Sequence, residues 1–252
     1  MRIDIINQLA KKGSYFTFEE AKKLMNNNIS VTKTILSRYE KKGFIERIEK
    51  GKYLIIPLGA KKGEYTINEF IIGSLLIKPY AISYWSALNF YGFTEQIPIQ
   101  TFIQTTSRKK NQNIKVLGIE FKIVTIKKEK FFGLTQEWID DNLINITDKE
   151  KTIIDCLDKP QYCGGILEIA KSLKKMALDI NQLVLYAQNI NNSAVIRRLG
   201  YLCDLLNIDV KLPTINTRNY VFLDPTMPKY GIKNAKWRLI INLDDHILKN
   251  LE

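Results

Sequence analysis

The sequence predicts an α+β protein: an N-terminal unit of three helices and a hairpin, then a larger mixed α+β body. Three observations carry this. Helical and strand-like patterns fall in separate runs instead of βαβ alternation. Capping and turn residues stand at the ends of those runs. Charge is also uneven. Residues 1–63 hold 14 Lys/Arg against 6 Asp/Glu, a net +8 of the chain's +12 (38 against 26), which leaves +4 for the other 189 residues.

The first helix spans about Arg2–Lys12, with Ile5, Ile6, Leu9 and Ala10 as its apolar stripe and Gly13 as its stop. Thr17 and Glu20 have capping-box spacing, so a second helix runs from Phe18 to about Met25. Asn26-Asn27-Asn28 is turn chemistry, and Ser30 is the expected cap of a third helix that ends at Gly43. Two β-like runs, 44–48 and 52–56, flank the tight turn Glu49-Lys50-Gly51 and make a wing. Three helices followed by a hairpin, in this order, is the winged helix-turn-helix pattern.

A compact basic head on a nearly balanced body is the footprint of a unit that grips duplex DNA. The third helix is the reader in this expectation. Val31, Ile35, Leu36 and Tyr39 face the core, while Ser30, Thr32, Lys33, Thr34, Ser37, Arg38 and Lys41 form the DNA-facing set, with Lys50 and Lys52 on the wing. Short hydroxyls approach base edges or phosphates, and Arg38 suits a guanine or a phosphate. The expected boundaries are 1–57 for the head, 58–65 for a linker too short to let it swing far, and 66–252 for the body.

In the body, Thr66 and Glu69 suggest a second capping box opening an apolar helix to about Ile77. Ser83 caps a short aromatic helix, 84–91, that Gly92 stops. Strand-like runs follow at 99–105 and 119–126, with Arg108-Lys109-Lys110 in a basic loop between them, either a plain solvated loop or a nucleic-acid contact. Thr147 and Glu150 suggest a third box starting a helix at 148–157, in which the Lys residues are solvated. Helical patterns occupy 166–176, 181–190 and 194–206, and late strands 220–223 and 236–242. Arg197 and Arg198 lie in the last helix; one is expected to pair with a carboxylate and the other to be exposed, a candidate functional surface of the body.

Hydrophobic residues make up 45% and charged residues 25%, enough apolar material for a packed core. The three cysteines, Cys156, Cys163 and Cys203, are odd in number and lack CxxC spacing. They read as buried thiols of a cytoplasmic protein, not as a disulfide framework or zinc site. No apolar run reaches the roughly 18 residues of a membrane span. Asp4, Asn7 and Gln8 interrupt any secretory h-region. No catalytic set, metal site or cofactor motif emerges. The lone His246 has no nucleophile nearby in sequence, and Gly73-Ser74 is followed by no Asp or Glu through residue 94, so no carboxylate pair is placed to hold magnesium for nucleotidyl transfer.

Five body segments carry a family resemblance. They are Pro79–Pro98 (PYAISYWSALNFYGFTEQIP), Phe131-Phe132-Gly133, Ile146–Gly165 (ITDKEKTIIDCLDKPQYCGG), Ala194–Leu202 (AVIRRLGYL) and Leu223-Asp224-Pro225. With the winged head before them, they resemble the AbiEi antitoxin family of abortive-infection, type IV toxin–antitoxin systems. The resemblance implies a head that binds inverted repeats in the promoter of its own operon and represses it. It also implies a C-terminal domain that counteracts a nucleotidyltransferase-like toxin without a stable direct complex. Two other readings predict different outcomes. A stand-alone winged-helix regulator, whose body senses a ligand or oligomerises, shares the DNA binding without the toxin. A nuclease would cleave nucleic acid in a metal-dependent way.

Overall fold

The computed structural model describes residues 3–11, 13–57, 67–175 and 177–249. The expected linker, 58–65, and Thr66 lie outside the described residues.

The N-terminal unit runs α1 (Ile3–Ala10), β1 (Tyr15–Thr17), α2 (Phe18–Leu24), α3 (Ile29–Lys41), β2 (Ile45–Glu49) and β3 (Lys52–Ile55). The box at the start of α2 is complete. Thr17 Oγ1 accepts from the Glu20 N–H at 3.3 Å, and Glu20 Oε2 accepts from the Thr17 N–H at 2.6 Å. The short strand β1 is an addition to the sequence reading. At three residues it is too short to show alternation, yet it pairs antiparallel with β3 to give the order β1-β3-β2. Phe16 of β1 stacks on Tyr53 at 5.4 Å and completes a core with Leu9, Leu36, Tyr39 and Ile45.

The body opens with α4 (Glu69–Leu76), β4 (Ala81–Ile82), α5 (Tyr84–Phe90), β5 (Gln100–Thr105), β6 (Asn113–Val116) and β7 (Ile119–Thr125). It continues with β8 (Leu134–Ile139), β9 (Asn142–Thr147), α6 (Lys149–Asp158), α7 (Ile166–Lys175), α8 (Ile180–Asn189) and α9 (Ser193–Leu206). It closes with β10 (Val221–Phe222), β11 (Ile232–Asn234), β12 (Leu239–Ile241) and α10 (Asp245–Lys249). The class is α+β. Strands β4 to β9 form one mixed sheet, order β6-β7-β5-β4-β9-β8, and the late strands form a small one, order β10-β12-β11.

In the body, two expected caps fall elsewhere. The α4 cap is Asn68, whose side chain accepts from the Phe70 N–H at 2.9 Å. The α6 cap is Asp148, which accepts from the Lys151 N–H at 2.7 Å; Thr147 is the last residue of β9, and Glu150 instead accepts from the Asp179 N–H at 2.8 Å. Asp and Asn serve a cap as well as Ser or Thr, so the neighbouring strand decides which residue takes the position. Gly73 is buried where α4 approaches the sheet: a Cβ there would meet Ile103 Cδ1 at 3.0 Å. Packing thus accounts for the Gly73-Ser74 pair.

The large sheet carries a core on each face. Ile82, Ile103, Phe121, Ile123 and Ile146 pack with α4, while Phe102 and Val124 pack with Tyr84, Ile153, Leu199 and the rest of the α5–α9 layer. Leu54 of β3 belongs to the α4 core, with Tyr15 and Ile48 packed against it, and Ser14 exchanges side-chain hydrogen bonds with Asn142 at 3.4 and 3.2 Å. The head is therefore seated on the body by apolar and polar contacts. All three cysteines are buried free thiols, and among the described residues no helix is long and apolar enough to cross a membrane.

Candidate nucleic-acid interface

The turn between α2 and α3 explains the orientation of α3. Asn26 and Asn27 both take left-handed backbone, φ 53° and 58°, a conformation that Asn adopts more readily than most residues. The third asparagine, Asn28, then becomes the cap and accepts from the Val31 N–H at 3.0 Å, so α3 begins before Ser30. This register buries Thr32, Leu36 and Tyr39 at i, i+4 and i+7. Ser30, Lys33, Thr34, Ser37, Arg38 and Lys41 form the exposed face.

Two residues differ from the sequence reading of this helix. Thr32, expected on the DNA side, is fully buried, its hydroxyl donating to the Asn28 carbonyl at 2.6 Å. That bond lets a polar side chain occupy a core position. Val31, expected in the core, is 43% exposed instead.

Between α3 and the β2–β3 hairpin lies an open cleft of about 650 Å³, with Lys33 and Ser37 on the helix side and Arg47, Lys50 and Gly51 on the hairpin side. Tyr53 closes its floor, and burial pushes the Tyr53 phenol up despite nearby Arg47. Glu19 and Glu40 also line it; Glu19 is paired with Lys22, which blunts its repulsion of an anion, and Glu40 stands among Lys33, Arg47 and Lys50 in the same lining. No ion pair among the described residues engages Lys33, Arg38, Lys41 or Lys50. Of these, Lys33 and Lys50 line the groove, and cations without an ion-pair partner at a concave surface are what a polyanion requires. Lys52 is different: its ammonium turns back to Glu49 Oε2 at 2.9 Å and to the Leu76 carbonyl at 3.4 Å, so it braces the hairpin against α4.

Arg197 and Arg198 do not form a surface. Their relative exposures are 3% and 6%. Arg197 donates to the Asn219 carbonyl at 2.9 Å and to Ser193 Oγ at 3.1 Å. Arg198 donates to the carbonyls of Leu157 at 2.7 Å, Leu223 at 2.9 Å and Phe222 at 3.2 Å. The guanidinium fork carries five N–H groups, which suits it to gather carbonyls from separate segments. Burial pulls the pKa of both below the usual arginine value, against the pull of Asp224 and Asp158 on Arg198.

Lys151, read as solvated, is fully buried and ion-paired with Asp155. Its place on the apolar face of α6, at i+4 from Asp155, was the available signal. Burial pushes the Asp155 carboxyl up, and Lys151 pulls it back down. Gly165, φ +84°, lets Asp224 reach the start of α7, where Oδ2 accepts from the Ile166 N–H at 2.7 Å; a Cβ on Gly165 would lie 2.7 Å from that oxygen. Gly165 is therefore a seat for a protein carboxylate. Among the described residues no group of three or more His, Cys, Asp or Glu is disposed to hold a metal, and His246 is exposed on α10.

No family model matches the sequence, and no curated protein matches it either. Among solved structures, the crystal structure of RV2827C protein from Mycobacterium tuberculosis is similar, with a TM-score of 0.66 at 13% identity. The match covers 97% of this chain and 92% of that one, so the shared fold runs through head and body together.

Proposed function

We propose that this chain is an AbiEi-like antitoxin and autorepressor. Its N-terminal unit, 1–57, is a winged helix-turn-helix that binds inverted repeats in its own promoter. Its body, 66–252, counteracts a nucleotidyltransferase-like toxin in the cytoplasm without a stable complex. The observation that carries the DNA half is the exposed face of α3, which bears Arg38 and on which Lys33 and Ser37 line a cleft whose far wall is the Lys50 turn. An α-helix fits the major groove, and a basic hairpin beside it reaches the flanking backbone.

The antitoxin half is supported by where the five resembling segments meet. Arg198 of the fourth donates to Leu157 of the third and Leu223 of the fifth. Asp224 of the fifth caps the helix that follows Gly165 of the third. Phe132 of the second lies 4.8 Å from the Lys151 ammonium of the third, and Tyr84 of the first packs edge-on against Tyr162 of the third at 5.4 Å. Segments far apart in sequence form one connected centre, which is the pattern of a shared architecture. No cofactor enters this reading.

The test is co-expression with a nucleotidyltransferase-like toxin, which this reading expects to be encoded next to this gene, alongside a promoter gel shift. The full chain rescues growth and shifts the promoter. Lys33→Ala with Arg38→Ala loses the shift and keeps the rescue. A full chain that shifts the promoter and gives no rescue is a stand-alone regulator, and the antitoxin half falls.

A further inference from the structure

The wing is anchored to a loop of the body that is itself basic. Glu49, the last residue of β2, immediately precedes the turn residue Lys50. Its carboxylate is held from two sides, by Lys52 at 2.9 Å and by Lys109 of the β5–β6 loop at 2.9 Å. The Lys109 ammonium also donates to the Leu76 carbonyl at 2.6 Å, at the C-terminal end of α4, where the helix dipole favours a cation. The loop is tied at its root as well: Ser107 Oγ donates to the Lys78 carbonyl at 2.7 Å, and the Ser107 N–H donates to Thr105 Oγ1 at 3.1 Å.

Lys109 is thus spoken for, but the residues on either side of it are not. Arg108 and Lys110 are exposed, and neither takes part in an ion pair among the described residues. They flank an ammonium that touches the residue next to the wing turn. Meanwhile the two lysines on Glu49 neutralise the acid nearest that turn, so the local field stays positive.

We propose that Arg108 and Lys110 extend the DNA-binding surface from the wing onto the body, contacting backbone phosphates of the duplex alongside Lys50. Lys109 is the positioning residue that holds the loop there. The proposal rests on the reading of the head as the DNA-binding unit. Its consequence is that the body shares in holding DNA, so the footprint is longer than the head alone would cover.

The test is a fluorescence-anisotropy titration of the full chain against a labelled duplex of about 30 base pairs, repeated across salt concentrations; phosphate contacts carry even nonspecific binding, so the sequence need not be the operator. Arg108→Ala with Lys110→Ala weakens binding on the order of tenfold or more near ~0.1 M salt and makes the log K against log salt slope shallower by about 1.8, roughly 0.9 per lost phosphate contact. Lys229→Ala with Lys233→Ala removes the same charge from β11 and the segment before it, and leaves the slope in place. An equal change in that control pair means that net charge alone acts, and the proposal falls. If the loop pair changes nothing while Lys33→Ala with Arg38→Ala weakens binding, the proposal falls and the head keeps its role. If neither pair changes anything, the head reading falls with it.

Discussion

Lys151 and Asp155, one turn apart on α6, meet as an ion pair in the centre of the body, at 0% and 3% side-chain exposure. The ammonium also lies 4.8 Å from the Phe132 ring centroid, and Gly133 leaves room for the lysine stem, since a Cβ there would lie 2.8 Å from Lys151 Cβ. In such a setting mutual attraction does little more than offset desolvation, but either charge left alone is costly. Lys151→Met alone should lose about 3–5 kcal/mol, and Lys151→Met with Asp155→Leu should recover most of it. Urea unfolding of the two variants measures this. A single variant as stable as the parent would mean that Asp155 is already neutral in the fold.

The bracing of the β2–β3 hairpin should fail in acid. Burial raises the Glu49 carboxyl, but its bonds to Lys109 and Lys52 outweigh that and hold it below its ordinary 4.5. A depressed native pKa means that the unfolded chain binds the proton more readily. The contribution is therefore complete above pH 4.5 and disappears as pH falls through the lower native value. Glu49 is partly exposed, so the pair is worth about 1 kcal/mol or less. Thermal midpoints of the parent and Glu49→Gln should differ at pH 6 and converge near pH 3. A constant difference at both pH values would remove the ionised carboxylate from the account.

How legible each feature was depended on the distance between its partners in sequence. The Thr17–Glu20 box and the basic face of α3 are written within a few residues, and the helices at 166–175, 180–189 and 193–206 announce themselves by period. Strands β8 and β9 went unread. They pair locally with each other, Trp138 opposite Leu143 across a tight turn, but the exposed Leu134, Trp138 and Leu143 blur the alternation that would mark a half-buried strand. The burial of Lys151 had a local sign in Asp155, whereas that of Arg197 and Arg198 was invisible for a different reason. The carbonyls at 157, 219, 222 and 223 reach these arginines only through the fold. Charge predicts a surface unless something distant satisfies it.

Arg198 and Asp224 should behave as one structural unit. Asp224 is 2% exposed; besides capping α7, it accepts from the Thr226 N–H at 2.8 Å and hydroxyl at 2.6 Å. Arg198→Met leaves three carbonyls without their donor, and Asp224→Ala leaves the buried Ile166 N–H without an acceptor and releases the Thr226 turn. Each should cost about 2–4 kcal/mol, since each unsatisfied buried group costs roughly 1–3 kcal/mol. The loss of the double variant should differ from the sum of the singles, because the groups share the Leu223–Asp224 segment. Chemical denaturation reads all three. Strict additivity would make them independent.

Under the proposed DNA binding, position on α3 should separate stability from DNA contact at two residues of the same helix. Thr32 is buried with its hydroxyl on the Asn28 carbonyl, and Arg38 stands on the exposed face. Thr32→Val keeps the shape and loses one neutral hydrogen bond, a cost of about 1 kcal/mol. It should lower the thermal midpoint while leaving the affinity of the folded protein for duplex DNA, and its salt slope, unchanged. Arg38→Ala should do the reverse. It removes no core contact, and if Arg38 meets a phosphate the slope becomes shallower by about 0.9. If it meets a guanine instead, affinity falls and discrimination between sequences relaxes by about 1–3 kcal/mol, with little change in slope. A Thr32→Val protein with an unchanged midpoint and weakened DNA binding would place the hydroxyl on the DNA side and require α3 to be turned about its axis.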